Sequence, residues 1–501
     1  MDVIVETKRG RLKGQKLGDL YVFKGVPYAE PPIGDLRWMP PKMKEPYGDI
    51  WDAIEYGSIC PQPELELKGL ASFKERQSED CLYLNIYTPG LDPKKRPVMF
   101  FIHGGAFTVG SSSHPLYRKG KMALRNDIVL VTINYRLGPL GFLRLKEIGD
   151  GRINSTGNEG LMDQMCALMW VKENIEAFGG DPDNITLFGE SAGGISIFCL
   201  ISMAKDINLF RRIIVQSANP CAIFERERAN SYARSLLKIL NIEENKIDLL
   251  KDLPFHKLVK ASEILRERIG ELTVFSPNVD GESIKEKPLS VIKEKIREMP
   301  ILIGTNANEW NFFCLTDPRL LNIDMDELYR ILGKSYQKKG VKLIIDYYRQ
   351  KLEREGLKPE PWRIYSQFMT DSFFLIPTLK TVDIWVEKKE PVYLYYFTWQ
   401  SPYLNGILGS CHTLELGFLF GNYDERFFGS GREAKRLSQV MQDAWTSFSK
   451  DGKPFIQNLG AWSDYGHEKK VMVLGKECYL TQDPHKDTRD FYTTLLEYSI
   501  K

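Results

Sequence analysis

Apolar, β-branched and aromatic residues gather in short runs along the chain: CLYLNIYT (81–88), PVMFFIH (97–103), IVLVTINY (128–135), NITLFG (184–189), RIIVQS (212–217), PILIGT (300–305) and VYLYYFTW (392–399). Runs of this length without strict polar alternation predict strands buried on both faces. Between several of them lie helix-like segments, LMDQMCALMWVKENIEAF (161–178) and SAGGISIFCLISMA (191–204). This alternation predicts an α/β fold, a mixed and mostly parallel sheet with helices on either side. Strands spread from 81 to 399 imply one sheet in a single domain over 1–501 rather than three beads. Residues 222–295 and 318–390 are richer in charge and helical period than in strand. They are expected to be helical insertions that cap the sheet and shape a pocket. EAKRLSQVMQDAWTSFSKDGKP (433–454) carries a helical stripe that should stop at Asp451-Gly452 and Pro454.

Composition narrows the function classes. The chain has 501 residues, 43% hydrophobic and 27% charged, with a net charge of +2. Disordered, collagen-like and coiled-coil readings lose their support. Without a Lys/Arg-rich block there is no electrostatic footprint of a nucleic-acid or anionic-membrane binder, so small neutral partners are expected. Eight cysteines in so long a chain make no disulfide scaffold, and none forms a C-x-x-C pair. Neither metal nor organic cofactor is expected. The N-terminus, MDVIVETKRGRLKG, is charged and strand-like rather than a secretory signal, and no run reaches membrane-spanning length. The expectation is a cytoplasmic protein, a monomer or small homo-oligomer.

The chemistry concentrates at Gly189-Glu190-Ser191-Ala192-Gly193, which joins the end of a predicted strand to the start of a predicted helix. That is G-x-S-x-G in the setting a nucleophile needs: a tight turn holds the Ser191 hydroxyl above the sheet, and a helix N-terminus lies beneath it. Upstream, FFIHGGAF (100–107) ends a strand in His103-Gly104-Gly105-Ala106. Such a turn aims consecutive N–H groups into a cavity, with Gly105 and Ala106 as oxyanion donors and Ala192 as the third.

A serine hydroxyl needs a base, and in this arrangement acid and histidine follow the serine in chain order. Four histidines do: His256, His412, His467 and His485. His256 lies in a charged helical stretch, and His467 and His485 sit among polar tail residues and read as surface side chains. His412 lies in a loop after the strand VYLYYFTW and is the candidate base. The orienting acid belongs between Ser191 and His412 at a strand end; Glu309 fits, with Asp280 and Asp371 as rivals.

SEDCLYLNIYTP (78–89), HGGAF (103–107), NYRLGPLGFL (134–143), FGGDPDNITLFGESAGG (178–194), GTNANEW (304–310) and HTLELGFLFGN (412–422) occur in this order. On these six motifs the chain resembles, over nearly its full length, the type-B carboxylesterase and cholinesterase family of α/β-hydrolases, in particular its bacterial para-nitrobenzyl esterase-like members. The resemblance implies the α/β-hydrolase fold with helical insertions capping an active site. It implies a triad of Ser191, Glu309 and His412, and an oxyanion hole of Gly105, Ala106 and Ala192. It also implies that Ser217 is a serine beside the triad and Glu190 a pocket carboxylate beside the nucleophile, with Arg37–Glu79 and Arg136–Asp181 as structural ion pairs. Cys60 and Cys81 sit where the family often forms a disulfide; without a secretion signal they are expected to be mostly reduced.

The implied activity is hydrolysis of carboxylic esters through an acyl-enzyme, with an ester and water as partners. The stretch between Cys60 and Cys81 has no Trp, so the platform for a quaternary ammonium is missing and a cholinesterase proper is not expected. Phe107 and the run Trp310, Phe312, Phe313 are candidates to line an apolar pocket, and Trp310 stands where the family commonly has a small residue. Uncharged short- to medium-chain or aryl esters are the expected substrates. The alternatives are a non-catalytic binding or adhesion protein on the same scaffold, or an amidase, lactonase or thioesterase with the same triad.

Overall fold

The structure, a computed structural model, describes residues 1–64, 75–204 and 207–500. It comprises two compact units, Met1–Pro300 with Trp445–Lys453, and Ile301–Ala444 with Pro454–Lys501. The first opens on an antiparallel meander of β1 (Asp2–Thr7), β2 (Gly10–Leu17) and β3 (Leu20–Pro27). Alternation in DVIVET leaves β1 exposed on one face, as an antiparallel edge allows. Then follow β4 (Tyr83–Thr88), β5 (Arg96–Ile102), β6 (Val129–Ile133), β7 (Gly180–Glu190) and β8 (Arg212–Gln216).

Strand order in this unit is β1-β2-β3-β4-β6-β5-β7-β8. β4 runs antiparallel to β3 and β6, whereas β6, β5, β7 and β8 are mutually parallel. Every residue of β6 and β8 is buried, which is what a strand covered on both faces requires. The register sets Ile102 opposite Gly189, and Gly189 opposite Val215. The turns leaving β5, β7 and β8 therefore emerge side by side at the carboxyl edge, where open α/β sheets hold their ligands.

In the second unit β9 (Ile301–Asn306), β10 (Val392–Phe397) and β11 (Lys470–Leu474) run parallel, and β12 (Cys478–Gln482) closes antiparallel on β11. Residues 222–295 hold the helices Arg226–Leu240, Phe255–Ile269 and Pro288–Lys295, and residues 318–390 hold Met325–Leu332, Lys338–Arg354, Pro361–Met369 and Ile376–Glu387. In the latter region Leu328, Val341, Ile344, Tyr348, Ile364 and Phe368 pack with Tyr492 and Leu495 of the C-terminal helix into one core. The helix Gly431–Asp451 stops where its sequence signals it should: Gly452 takes φ 76° and donates its N–H to Phe448 O at 2.8 Å.

Two expectations need correction. Arg136 pairs with Asp163, not Asp181: its Nε and Nη2 reach the two carboxylate oxygens at 2.8 and 2.7 Å, and its backbone N–H donates to the same group at 3.0 Å. Asp163 lies on the buried face of the helix Glu159–Asn174. Asp181 instead caps its own turn by accepting from Asp183 N at 2.9 Å. A buried guanidinium needs a carboxylate buried beside it, because only their mutual attraction and hydrogen bonds offset the desolvation of both charges. Arg37 does pair with Glu79.

His485 is buried, not a surface side chain. It precedes the helix Lys486–Leu495 and meets Tyr396 edge to face, with ring centroids 4.7 Å apart. Burial pushes its pKa down to about 3, and the Lys351 and Arg489 cations push the same way, so it is a neutral packing residue. His256 and His467 are exposed, as expected.

Candidate active site

β7 ends at Glu190 and the helix Ala192–Met203 begins two residues later, so Ser191, the one residue between them, must turn the chain alone. It does so at φ 54°, ψ −121°, a conformation that disfavours any L-residue. Its N–H donates to Gln216 O at 2.9 Å, which ties the turn to the end of β8. Its side chain is half-buried while Glu190 and Ala192 on either side are buried. The motif glycines exist for close approach: a Cβ at Gly189 would lie 2.6 Å from Gly193 C, and one at Gly193 would lie 2.0 Å from Ile102 O. Any side chain there would push the serine off its perch.

The His103–Phe107 turn packs directly on this elbow. A Cβ at Gly104 would lie 2.5 Å from Glu190 Oε2 and 3.1 Å from Ser191 Cβ. Gly105, Ala106 and Phe107 follow at φ 109°, 53° and 58°. Consecutive backbone N–H groups in a turn can face one concavity, where they can hold an anion. Among the described residues, neither the Gly105 nor the Ala106 N–H has an acceptor in hydrogen-bonding range. The Ala192 N–H belongs to the first helical turn, which has no intrahelical partner to give.

Tyr135 holds the turn in place from below. Its hydroxyl donates to His103 O at 2.8 Å, and its ring stacks on the His103 imidazole at 4.5 Å. Burial lowers the His103 pKa to about 4, so this ring is neutral and structural. Tyr135 lies within the NYRLGPLGFL motif, yet its identity alone gave no sign of this support.

In the second unit Glu309 and His412 come together. The His412 Nδ1 and Glu309 Oε2 atoms are 2.7 Å apart, and both side chains are almost wholly buried. A carboxylate only accepts, so Nδ1 carries the proton and Nε2 keeps its lone pair for another proton. The other Glu309 oxygen accepts from Asn306 N at 2.7 Å, which fixes the carboxylate plane. The rivals are occupied elsewhere: Asp280 accepts from Ser283 and the Ile284 N–H, and Asp371 from Lys351 and Tyr348.

A second buried carboxyl lies near. Asn306 Nδ2 donates to Glu415 Oε2 and to Cys411 O, each at 2.7 Å. Burial, reinforced by the Glu309 charge, pushes the Glu415 pKa up from 4.5 to about 7. An acid raised in this way binds more protons folded than unfolded between those two values. Its contribution is therefore present at low pH and is lost as pH rises through about 7. Glu415→Gln should flatten that loss, raising the thermal midpoint over wild type at pH 8 but not at pH 4.

Aromatic rings frame His412. Phe313 and Phe374 stand 5.1 and 5.0 Å from its ring, and Trp310 backs Phe313 at 4.8 Å. Phe107 packs on Phe142 at 4.9 Å in the first unit. Ser217 is fully buried at φ 49°, immediately after the Gln216 carbonyl that anchors Ser191. Cys60 and Cys81 are both free and buried; hydrogen bonding to Cys60, with burial, raises the Cys81 thiol. Residues 65–74, inside the stretch without Trp, lie outside the described residues. No group of metal-ligating side chains and no helix long and apolar enough to cross a membrane occurs among the described residues.

The carboxylesterase family matches residues 1–491. The chain is 37% identical to the para-nitrobenzyl esterase of Bacillus subtilis over 97% of both chains. It is 34% identical to the phenmedipham hydrolase of Pseudarthrobacter oxydans over 95% of both. Among solved structures it resembles the Geobacillus stearothermophilus carboxylesterase EST55, with TM-score 0.86 and 34% identity over 98% of this chain and 99% of that one. A thermophilic PNB esterase matches with TM-score 0.86 and 36% identity over 97% and 99%. The fold is therefore that of the α/β-hydrolases, with a large, mostly parallel mixed sheet flanked by helices, and its chemistry is hydrolysis of carboxylic esters by water. The elbow, the loop beside it and the match along almost the whole sequence agree, and the chain belongs to the carboxylesterase family.

Proposed function

We propose that Ser191, His412 and Glu309 act as one relay, and that the substrates are uncharged esters of short to medium acyl chains, aryl esters included. Ser191 Oγ attacks the carbonyl carbon while His412 Nε2 takes its proton. The tetrahedral oxyanion receives the N–H groups of Gly105, Ala106 and Ala192. His412 then returns the proton to the departing alcohol, leaving the acyl group on Ser191, and water repeats the attack to release the acid. Each oxyanion donor is expected to contribute about 100- to 1000-fold in turnover. Glu190 and Ser217 pack beside the elbow and hold its shape.

The observation that carries the reading is the strained serine, a non-glycine held at φ 54° between β7 and a helix. Strain of about 1–3 kcal/mol persists only where surrounding structure enforces it. One family match over residues 1–491 supports treating the chain as one domain. The even charge balance supports small neutral partners rather than nucleic acid or an anionic membrane. The rings around His412 support an apolar pocket of limited size.

Incubation with an organophosphate followed by intact mass should show one adduct, and p-nitrophenyl butyrate should be turned over. Across p-nitrophenyl esters of graded acyl length, kcat/KM should rise to a maximum and then fall. Neither adduct nor turnover would sink the nucleophile, and equal rates at every length would sink the shaped pocket.

A further inference from the structure

Asn308 sits one residue before Glu309 and bridges two loops. Its N–H donates to Ser410 O at 2.9 Å, and its Oδ1 accepts the Ser410 N–H at 3.0 Å. This reciprocal pair sets the register between the Glu309 loop and the His412 loop. Gly409 is what allows the approach: it takes φ 58°, and a Cβ there would lie 2.5 Å from Asn308 Oδ1. The remaining Asn308 donor, Nδ2, reaches Gln367 Oε1 at 3.3 Å.

Gln367 is buried, and an amide is buried only where its hydrogen bonds are used. Its Nε2 donates at 3.3 Å both to Ala307 O and to Asp371 Oδ1. The other Asp371 oxygen accepts from Lys351 Nζ and from the Tyr348 hydroxyl, each at 3.0 Å. The helix Pro361–Met369 runs into a π-helical turn at Thr370–Leu375, and together they grip the acid loop repeatedly. Ser366 Oγ donates to Asn311 Oδ1 at 2.6 Å, and Thr370 Oγ1 accepts Trp310 N–H at 3.0 Å. The wider π turn brings Gln367, Thr370 and Asp371 to one face, a placement such turns often serve near functional sites.

We propose that Gln367 is a positioning residue for the Glu309–His412 pair, acting through Asn308 and anchored by the Lys351–Asp371 ion pair. It touches no reacting atom. Its donors and acceptor hold Ala307 and Asn308 on either side of one peptide, and that peptide leads into Glu309. A carboxylate displaced by a few tenths of an ångström meets His412 Nδ1 at a poorer angle, so the imidazolium formed during proton transfer is less well stabilised. This inference rests on the triad reading above.

Gln367→Met keeps the side-chain volume and removes both ends of the link. It should lower kcat on p-nitrophenyl butyrate about 10- to 100-fold while KM stays within about twofold. The acid limb of its kcat–pH profile should move to lower pH, because an imidazolium that has lost part of its carboxylate partner gives up its proton more readily. Loss of folded protein alone would scale the profile without moving that limb. Asn308→Ala should behave alike, and the double variant should be no worse than the poorer single, since both act along one route. If Gln367→Met does not fold, Asn308→Ala carries the same test without adding charge: it loses the donor to Gln367 and should show a loss of kcat with the acid limb again moved to lower pH. Wild-type kcat, an unmoved acid limb or multiplying losses would overturn the proposal. If Glu309→Gln cripples the enzyme while these variants do not, only the positioning role fails. If Glu309→Gln is itself fully active, the triad reading fails with it.

Discussion

Ser191→Ala is expected to lower kcat on p-nitrophenyl butyrate about a millionfold and to abolish the organophosphate adduct, while leaving the thermal midpoint within the range of ordinary surface changes. The stability half of this follows from what Ser191 contributes to the turn. Its anchoring bond runs from the backbone N–H to Gln216 O, and alanine keeps that bond. Alanine at φ 54° carries the same backbone strain, so neither relief nor collapse is expected. The activity half follows from the proposal that this hydroxyl forms the acyl bond. Ser217, fully buried at the end of β8, offers no second nucleophile to a bulky phosphorus reagent. An adduct that survives in Ser191→Ala would place the reactive group elsewhere and end the proposed mechanism. Intact mass and a progress curve on the same sample decide it.

The parallel strands were legible because burial on both faces writes itself as continuous apolar runs. RIIVQS and PILIGT predict β8 and β9 to within a residue at each end. Glycine was equally legible at the elbow, where Gly189 and Gly193 have a backbone neighbour within van der Waals contact. Partners were not. Arg136 could be matched with an acid on motif grounds, but which acid is buried beside it depends on the packing of the helix Glu159–Asn174. His485 sits among Asp, Pro and Lys in the sequence, and only the docking of its helix against Tyr396 encloses it. The β11–β12 hairpin was missed because VMVL and CYLTQ are short and flanked by lysines, a weak signal for strands. The grip of Gln367 and Asp371 on the Glu309 loop spans about 60 residues of chain and leaves no local trace at all. Spacing thus points to which residue types carry the chemistry, whereas the residues that aim them are visible only once the chain is folded.

Glu309→Gln tests whether that aim matters as much as the groups themselves. Glutamine is nearly isosteric, so the side chain should still enter its pocket, and two arrangements are open to it. Asn306 N–H, 2.7 Å from Glu309 Oε1, needs an acceptor, and only the glutamine carbonyl can supply one. The amide NH2 must then face His412 Nδ1 across the 2.7 Å contact now made by Oε2. A donor at that place obliges Nδ1 to present its lone pair, and the proton moves to Nε2. The imidazole is then in the tautomer that cannot receive the Ser191 proton, although every atom remains close to its original position. The expected cost is about 10,000-fold in kcat, with KM little changed, because binding of the ester does not depend on the tautomer. The reverse flip would leave Asn306 N–H facing an NH2 group inside a buried site, at a cost of about 1–3 kcal/mol. Stability would then fall together with activity. A measured loss below about tenfold, with the midpoint unchanged, would mean that His412 takes its orientation from something other than this carboxylate.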